Sequence, residues 1–184
     1  EYAHAYQIIH QNIEQALKAT KIVSLSGETH NAQARMAARS TFENSKQRFF
    51  NHLLTAMKMP TLLKAISHDI EQGNAVIIQI VSTNEVLLDR RLAQIPSDEW
   101  GDLNIDITPR EYILDYLRHA FPVQLQQTYS DEKGNIYSQP LYDEEGNPVF
   151  SQQALKQRDE LIEKLALMTP IPGALDQIIQ YFGH

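Results

Sequence analysis

The feature that most constrains the fold is the apolar run A-V-I-I-Q-I-V at residues 75–81. The run is rich in β-branched residues and follows Gly73-Asn74, a pair that is typical of turns. This pattern predicts a strand buried on both faces, as in a parallel sheet covered by helices. Ser82 or Thr83 then caps a following helix. Ligands of open α/β sheets bind at the carboxyl ends of strands, so the stretch from Ser82 to Glu85 is the first place to look for a site.

Composition limits the class of protein. The chain has 184 residues, which is enough for one domain with a real core or for a small domain with an extension. It has no cysteine, which excludes disulfides, thiolate zinc sites and cysteine nucleophiles. No apolar run approaches the roughly 20 residues of a membrane helix, so we expect a cytoplasmic protein without membrane contact. The chain begins without Met inside a helical pattern, which indicates a segment of a longer protein.

Charge is distributed unevenly along the chain. The net charge is −7, yet residues 1–64 carry eight Lys and Arg against four acids, a net of +4. The remaining residues therefore carry −11. Two interpretations are open: two surfaces that are solvated differently, or a first third that faces nucleic acid or an acidic partner.

Helical periodicity dominates most of the chain. Apolar residues at i+3 and i+4 spacing predict amphipathic helices. They cover residues 2–18, 28–58, 61–72, 108–120, 151–167 and 174–182. A break is expected near Ser40 and Thr41, Pro60 separates the second helix from the third, and Gly73 closes the third. Residues 22–27 fit either a short edge strand or a loop.

Residues 125–150 differ in character, because the pattern Asp-x-x-Gly-Asn occurs at Asp131 and again at Asp143. Asp opens a turn and Gly supplies a positive φ, so each pattern predicts a hairpin loop. We expect a three-stranded antiparallel meander inserted between helices. Calcium binding is the weaker interpretation, since neither loop is closed by the Glu of an EF-hand. The tyrosines of the meander fit base stacking, but a small core of their own is favoured.

The sequence lacks the motifs by which this chain alone could bind a nucleotide or catalyse a reaction. It has neither the G-x-x-x-x-G-K-[ST] phosphate loop nor G-x-G-x-x-G. Its seven histidines include no i,i+4 pair, so a histidine metal site is disfavoured. Ser67, His68 and Asp69 are contiguous on a helix and therefore point in different directions. We assign no catalytic, cofactor or metal residue to this chain.

Specific strings indicate a family. Residues 45–63 read S-K-Q-R-F-F-N-H-L-L-T-A-M-K-M-P-T-L-L, and residues 75–85 read A-V-I-I-Q-I-V-S-T-N-E. The Asp-x-x-Gly-Asn meander and P-I-P-G-A-L-D-Q-I-I-Q-Y-F-G at residues 170–183 follow. This combination resembles the strawberry notch family of superfamily 2 helicase-like proteins. It is similar to the bacterial, plasmid and phage branch that is described as methylase/helicase proteins.

The resemblance implies a mostly helical α/β fold, an incomplete RecA-like unit with flanking helices and an inserted antiparallel β-meander. Residues 1–60 would form a helical linker, and residues 61–184 part of the second RecA-like domain, with the meander at about residues 125–150. Ser82 and Thr83 would contact a nucleic-acid backbone, which suits hydroxyls and free N–H groups at a helix N-terminus. Lys46 and Arg48, basic residues of the first third, complete the predicted nucleic-acid contacts.

The same resemblance implies a part of a DNA-dependent NTPase that is inactive alone. Walker motifs belong to the first half, and the arginines that complete an NTP site lie beyond His184. The expected partners are DNA, through the full-length protein, and the first RecA-like half of the same polypeptide. ATP and Mg²⁺ are expected for that full-length protein and not for this chain. The alternative is a protein-interaction module of a larger multidomain protein, with no nucleic-acid contact.

Overall fold

The computed structural model describes residues 2–79, 93 and 108–183. Most of these residues are helical, and a two-stranded antiparallel sheet accompanies the helices. The elements in chain order are α1 (Tyr2–Ala19), α2 (Ala32–Glu71), α3 (Arg110–His119), β1 (Gln126–Ser130), β2 (Ile136–Pro140), α4 (Gln152–Ala166) and α5 (Ala174–Phe182). The mixed, mostly helical class is thereby confirmed, while the RecA-like arrangement stays a prediction.

The chain divides into two compact units, and each is built from two stretches of sequence. The first unit comprises Glu1–Lys46 and Leu114–Met168. The second unit comprises Gln47–Ile113 and Thr169–His184. Both α2 and α3 contribute residues to each unit, and the segments 1–60 and 61–184 that the sequence suggested stay a prediction.

The first unit has its core along one face of α1. That face buries Tyr2, Tyr6, Ile9, Ile13, Ala16 and Leu17. Aromatic rings extend the core, with Phe42 lying 5.8 Å from Tyr6 and 5.6 Å from Tyr116 between ring centroids. The helix α4 packs on α1, where the Gln157 amide donates to Gln15 Oε1 at 2.8 Å. The apolar spacing of α1 therefore predicted both its helical state and its buried face.

The segment between α1 and α2 is a loop. A single antiparallel bridge joins Val23 and Thr29. Of the two interpretations of residues 22–27, the loop is therefore confirmed and the edge strand is not. Lys21, two residues after the end of α1, adopts a left-handed φ of 63°, a conformation that non-glycine residues seldom take. The Asn31 Oδ1 accepts the Ala34 N–H at 2.9 Å and so caps the start of α2.

Helix α2 is continuous through Pro60, so the predicted break near Ser40 and the predicted stop at Pro60 are both wrong. Proline has no N–H, and inside a helix it leaves the carbonyl four residues earlier without its usual donor. That carbonyl belongs to Ala56, which is 2% exposed. The Gln177 side-chain amide of α5 donates to it at 3.1 Å. A tertiary contact thus supplies the hydrogen bond that the helix itself lacks.

The end of α2 follows the sequence prediction closely. Gly73 has a positive φ of 81°, and its N–H donates to Ile70 O at 2.9 Å. The Asn74 N–H donates to Asp69 O at 3.0 Å. This pair of bonds is a Schellman motif, which closes the helix with glycine at C′ as predicted.

The predicted central strand is wrong over its described part, residues 75–79. These residues have no regular secondary structure, and Ile77 is 95% exposed. An apolar run forms a stable strand only where neighbouring strands bond to it, and among the described residues the sheet contains β1 and β2 alone. The remainder of the predicted strand, residues 80–81, lies outside the described residues.

The predicted meander is confirmed in part. The strands β1 and β2 pair antiparallel, with Tyr129 opposite Tyr137. The third strand is reduced to isolated bridges, Tyr142 to Pro148 and Gln124 to Phe150. Both turns form as the sequence predicts, with positive φ at Gly134 and Gly146. In each turn one Asp carboxylate accepts backbone and side-chain N–H groups, and this pattern is the same for Asp131 and Asp143.

Candidate interaction surfaces

The four predicted nucleic-acid contacts are not brought together by the described structure. Ser82 and Thr83 lie outside the described residues. Lys46 and Arg48 are both on α2, where residues two apart point to different sides of the helix. The Lys46 ammonium pairs with Glu43 at 2.5 Å and lies 5.6 Å from the centre of the Phe42 ring. Arg48 is exposed.

Other cations of the basic first third also have intramolecular partners. Arg39 pairs with Glu14 at 2.6 Å. The Arg35 guanidinium donates to Thr29 Oγ1 at 2.6 Å. These bonds hold both side chains against their own unit. The +4 excess in the sequence therefore overstates the positive charge that is free to meet an external phosphate.

The most apolar exposed element is α5, whose nine residues include none that is buried. Leu175, Ile179 and Phe182 follow the spacing i, i+4 and i+7, which places them along one side of the helix. They are 48%, 58% and 37% exposed. We call these three residues the α5 stripe. Asp176 is the one charged residue of the helix, and its Oδ2 accepts the Gly173 N–H at 3.1 Å.

Two hydrogen bonds hold α5 against α2 inside the second unit. The Gln177 amide of α5 donates to Ala56 O of α2 at 3.1 Å. The Ser67 hydroxyl donates to the Tyr181 hydroxyl at 3.2 Å. Gln177 and Tyr181 are one turn apart, so both bonds come from the side of α5 that faces α2. The α5 stripe is left on other positions of the helix.

The second unit exposes further apolar residues on α2. On α2, Leu54 is 53% exposed and Met57 is 66% exposed. Leu62 and Ile70 are 44% and 50% exposed. The same helix buries Phe49, Ala56, Met59, Leu63 and Ile66. Apolar side chains thus lie on more than one side of α2, and spacing alone did not separate the buried ones from the exposed ones.

The tyrosines of the meander are exposed rather than packed as a small core of their own, so that expectation is wrong. Tyr129 and Tyr137 stack at a centroid distance of 5.8 Å and an interplanar angle of 26°. They are 49% and 42% exposed, and Tyr142 is 54% exposed. A two-stranded sheet that packs on the rest of its unit buries one face. Its other face stays in water unless a further layer covers it.

Acidic turns flank these tyrosines. The Asn135 side chain donates to the Asp131 carboxylate at 2.8 Å, and this bond is the main reason that the pKa of Asp131 lies below its ordinary value. The backbone N–H of Asn147 has the same effect on the pKa of Asp143. Both carboxylates are therefore ionised at neutral pH, and their oxygens are engaged by N–H donors of their own turns.

Among the histidines that the structure describes, His52 of the second unit has a shifted pKa. The His52 ring stacks on Tyr112 at 4.8 Å, and its Nε2 shares a 2.8 Å hydrogen bond with the Tyr112 hydroxyl. Burial lowers the pKa of His52 below its ordinary value, because the imidazolium loses hydration there. The stack packs the two rings together and leaves His52 neutral at pH 7.

Residues 2–79 and 108–183 contain no group of three or more His, Asp or Glu side chains arranged to hold a metal ion. Among the helices that the structure describes, none combines the length and the apolar character needed to cross a membrane. Comparison with protein families, with curated proteins and with solved structures finds no match to this chain.

Proposed function

We propose that this chain is a protein-interaction module that docks the α5 stripe into an apolar groove of another domain. The observation that carries the proposal is the exposed, regularly spaced set Leu175, Ile179 and Phe182 on a helix without buried residues. Apolar anchors at i, i+4 and i+7 are the pattern by which an amphipathic helix occupies a groove.

The size of this surface sets the strength of the interaction. Full burial of a Leu, Ile or Phe side chain contributes about 1.5–3 kcal/mol, and each member of the stripe is already partly covered. The three together therefore offer roughly 2–4 kcal/mol, which is below the cost of a stable intermolecular complex. Stable docking follows when Leu54 and Met57 add surface, or when both domains belong to one polypeptide and meet at high effective concentration.

Docking between two domains of one polypeptide agrees with the family resemblance. If the chain belongs to a strawberry notch-type helicase-like protein, its groove-bearing partner is the first RecA-like half of the same polypeptide. ATP and Mg²⁺ would then be bound by the full-length protein. The contribution of this chain is inter-domain packing, and its exposed apolar residues support that role.

A double substitution tests the docking. Leu175→Ser with Ile179→Ser removes two anchors, and Gln180→Ser on the same helix is the matched control. Binding to the upstream half of the parent polypeptide is measured by isothermal titration calorimetry. We expect at least tenfold weaker binding for the double variant and unchanged binding for the control. Equal affinities for all three proteins, or no binding by the unmodified chain, would contradict the proposal.

The second candidate function is contact with a DNA backbone, which the exposed Arg48 favours. The net charge of −7 and the pairing of Lys46 with Glu43 both weaken it. Labelled duplex DNA is titrated at low and at physiological salt with the unmodified chain, Arg48→Gln and Lys46→Gln. This role requires salt-dependent binding that Arg48→Gln weakens more than Lys46→Gln. The assignment of Arg48 as a DNA contact is contradicted if binding does not depend on salt or if the two substitutions have equal effects.

A further inference from the structure

The β1–β2 hairpin presents a tyrosine face to solvent. Tyr129 and Tyr137 are directly opposite in the register, and Gln127 and Gln139 are the next pair with side chains on the same face. All four are exposed. The rings stack on each other, and each residue keeps part of its surface exposed to solvent.

The opposite side of the hairpin is fixed to the rest of the first unit. The Gln126 N–H donates to Thr20 O at 2.8 Å, and the Ser138 N–H donates to His30 O at 3.0 Å. The Asn31 side-chain amide donates both to Gln126 Oε1 at 3.1 Å and to Ser138 O at 3.2 Å. Gln126 and Ser138 are accordingly buried while the tyrosines are not. These bonds set which face of the hairpin is outward.

Charge selects the partner of this face. Residues 126–150 contain five carboxylates against the single Lys133, a net of −4. Glu132, Glu144 and Glu145 are exposed, and the Asp131 and Asp143 carboxylates anchor the two turns. Phosphates meeting this segment would be repelled, whereas Lys and Arg side chains would be attracted to it.

We propose that the tyrosine face and its acidic turns form a docking surface for a Lys/Arg-rich polypeptide segment. Guanidinium and ammonium groups lie favourably over tyrosine rings, and the exposed glutamates of the two turns can pair with further Lys or Arg side chains along the segment. The alternative occupant, single-stranded nucleic acid stacked on the tyrosines, is disfavoured by the −4 charge of the segment. This surface is independent of the α5 stripe.

A labelled Lys/Arg-rich peptide is the probe, titrated against the full chain by fluorescence anisotropy at low and high salt. Tyr129→Ala with Tyr137→Ala is expected to weaken binding about tenfold, because two cation–π contacts are lost. Tyr129→Phe with Tyr137→Phe retains the rings and should bind like the unmodified chain. Glu144→Gln with Glu145→Gln should weaken binding several-fold and reduce its salt dependence.

Leu167→Ala is the matched control, since Leu167 is an 88% exposed apolar residue of the same unit outside the meander. Its affinity should equal that of the unmodified chain. The proposal is overturned if the Ala pair binds the peptide normally, if Leu167→Ala weakens binding equally, or if the peptide does not bind at all. The proposal is also overturned if a labelled single-stranded DNA binds more tightly than the peptide and the Ala pair abolishes that binding, because the face would then belong to nucleic acid. The Glu substitutions lie in an exposed turn, so they test the proposal even if the Ala pair disturbs the hairpin.

Discussion

The two compact units use apolar residues differently. In the first unit α1 buries a full face, and the rings of Tyr6, Phe42 and Tyr116 extend the core. In the second unit α5 buries no residue completely, although its sequence is more apolar than that of α1. Similar helical spacing thus produces a core in one place and an exposed surface in the other. Helical amphipathicity predicts that a face will be covered, but it does not say whether the same chain supplies the cover.

The largest expected effect compares a buried and an exposed leucine in the two units. Leu117 of the first unit is 0% exposed, whereas Leu175 of the α5 stripe is 48% exposed. Leu117→Ala should lower the free energy of unfolding by about 2–5 kcal/mol, because it leaves a cavity. Leu175→Ala should cost about 1 kcal/mol or less. Urea denaturation followed by circular dichroism gives both values. Equal losses would show that α5 is covered within the chain and would break the comparison.

A smaller effect concerns the hydrogen bond by which Gln177 compensates for the N–H that Pro60 lacks. Gln177→Leu leaves the buried Ala56 carbonyl without its donor, with an expected loss of about 1–3 kcal/mol. Pro60→Ala restores a backbone N–H to the same carbonyl. In the Pro60→Ala background, Gln177→Leu should therefore cost much less. A double-mutant cycle by chemical denaturation measures this coupling, and additive effects would exclude it.

The twin turns of the first unit give the next effect. Gly134 and Gly146 have φ of 80° and 84°, and a Cβ at either position meets no atom within 4 Å. Gly134→Ala and Gly146→Ala should each cost about 1 kcal/mol from the left-handed conformation alone. Lys133→Ala, a neighbour in the first turn, is the control and should be neutral. Thermal unfolding of the three variants checks this, and a neutral Gly134→Ala would contradict the turn geometry.

The smallest effect is a pH dependence in the second unit. The folded pKa of His52 is depressed, so the unfolded chain binds a proton at His52 more readily than the folded chain does. The contribution of neutral His52 to the free energy of unfolding is therefore fully present above about pH 6.5. It is lost as the pH decreases from there through the folded pKa. His52→Gln should flatten this part of the profile in urea titrations between about pH 5 and 8. Identical pH profiles for the two proteins would disprove the assignment.

Local chemistry was predictable because it depends on neighbours in sequence. Ser151 caps α4 by accepting the Ala154 N–H at 3.3 Å, and the predicted helical range begins at this residue. Gly73 closes α2, and Asp131 and Asp143 open two turns with the same hydrogen bonds. Each of these devices is complete within six residues, so its hydrogen bonds depend only on neighbours in sequence.

The candidate sites were less predictable. Of the four predicted nucleic-acid contacts, Ser82 and Thr83 remain predictions, while Lys46 and Arg48 lie on different sides of α2. The α5 stripe had a signal, the i, i+4, i+7 spacing of Leu175, Ile179 and Phe182, but spacing also fits a buried face. The tyrosine face had the same ambiguity. Exposure distinguishes a docking surface from a core, and exposure is a property of the folded chain.

The sequence by itself determined the helical state and buried face of α1, the closure of α2 at Gly73 and the positions of the two meander turns. Only the tertiary structure decided that residues 75–79 form no strand, because strand pairing requires a neighbour that sequence does not specify. Only the tertiary structure made α2 continuous, because the carbonyl left free by Pro60 finds a donor 121 residues away in Gln177. Hydrogen bonds within a turn are fixed by adjacent residues, whereas burial and long-range pairing are fixed by what the rest of the chain places nearby.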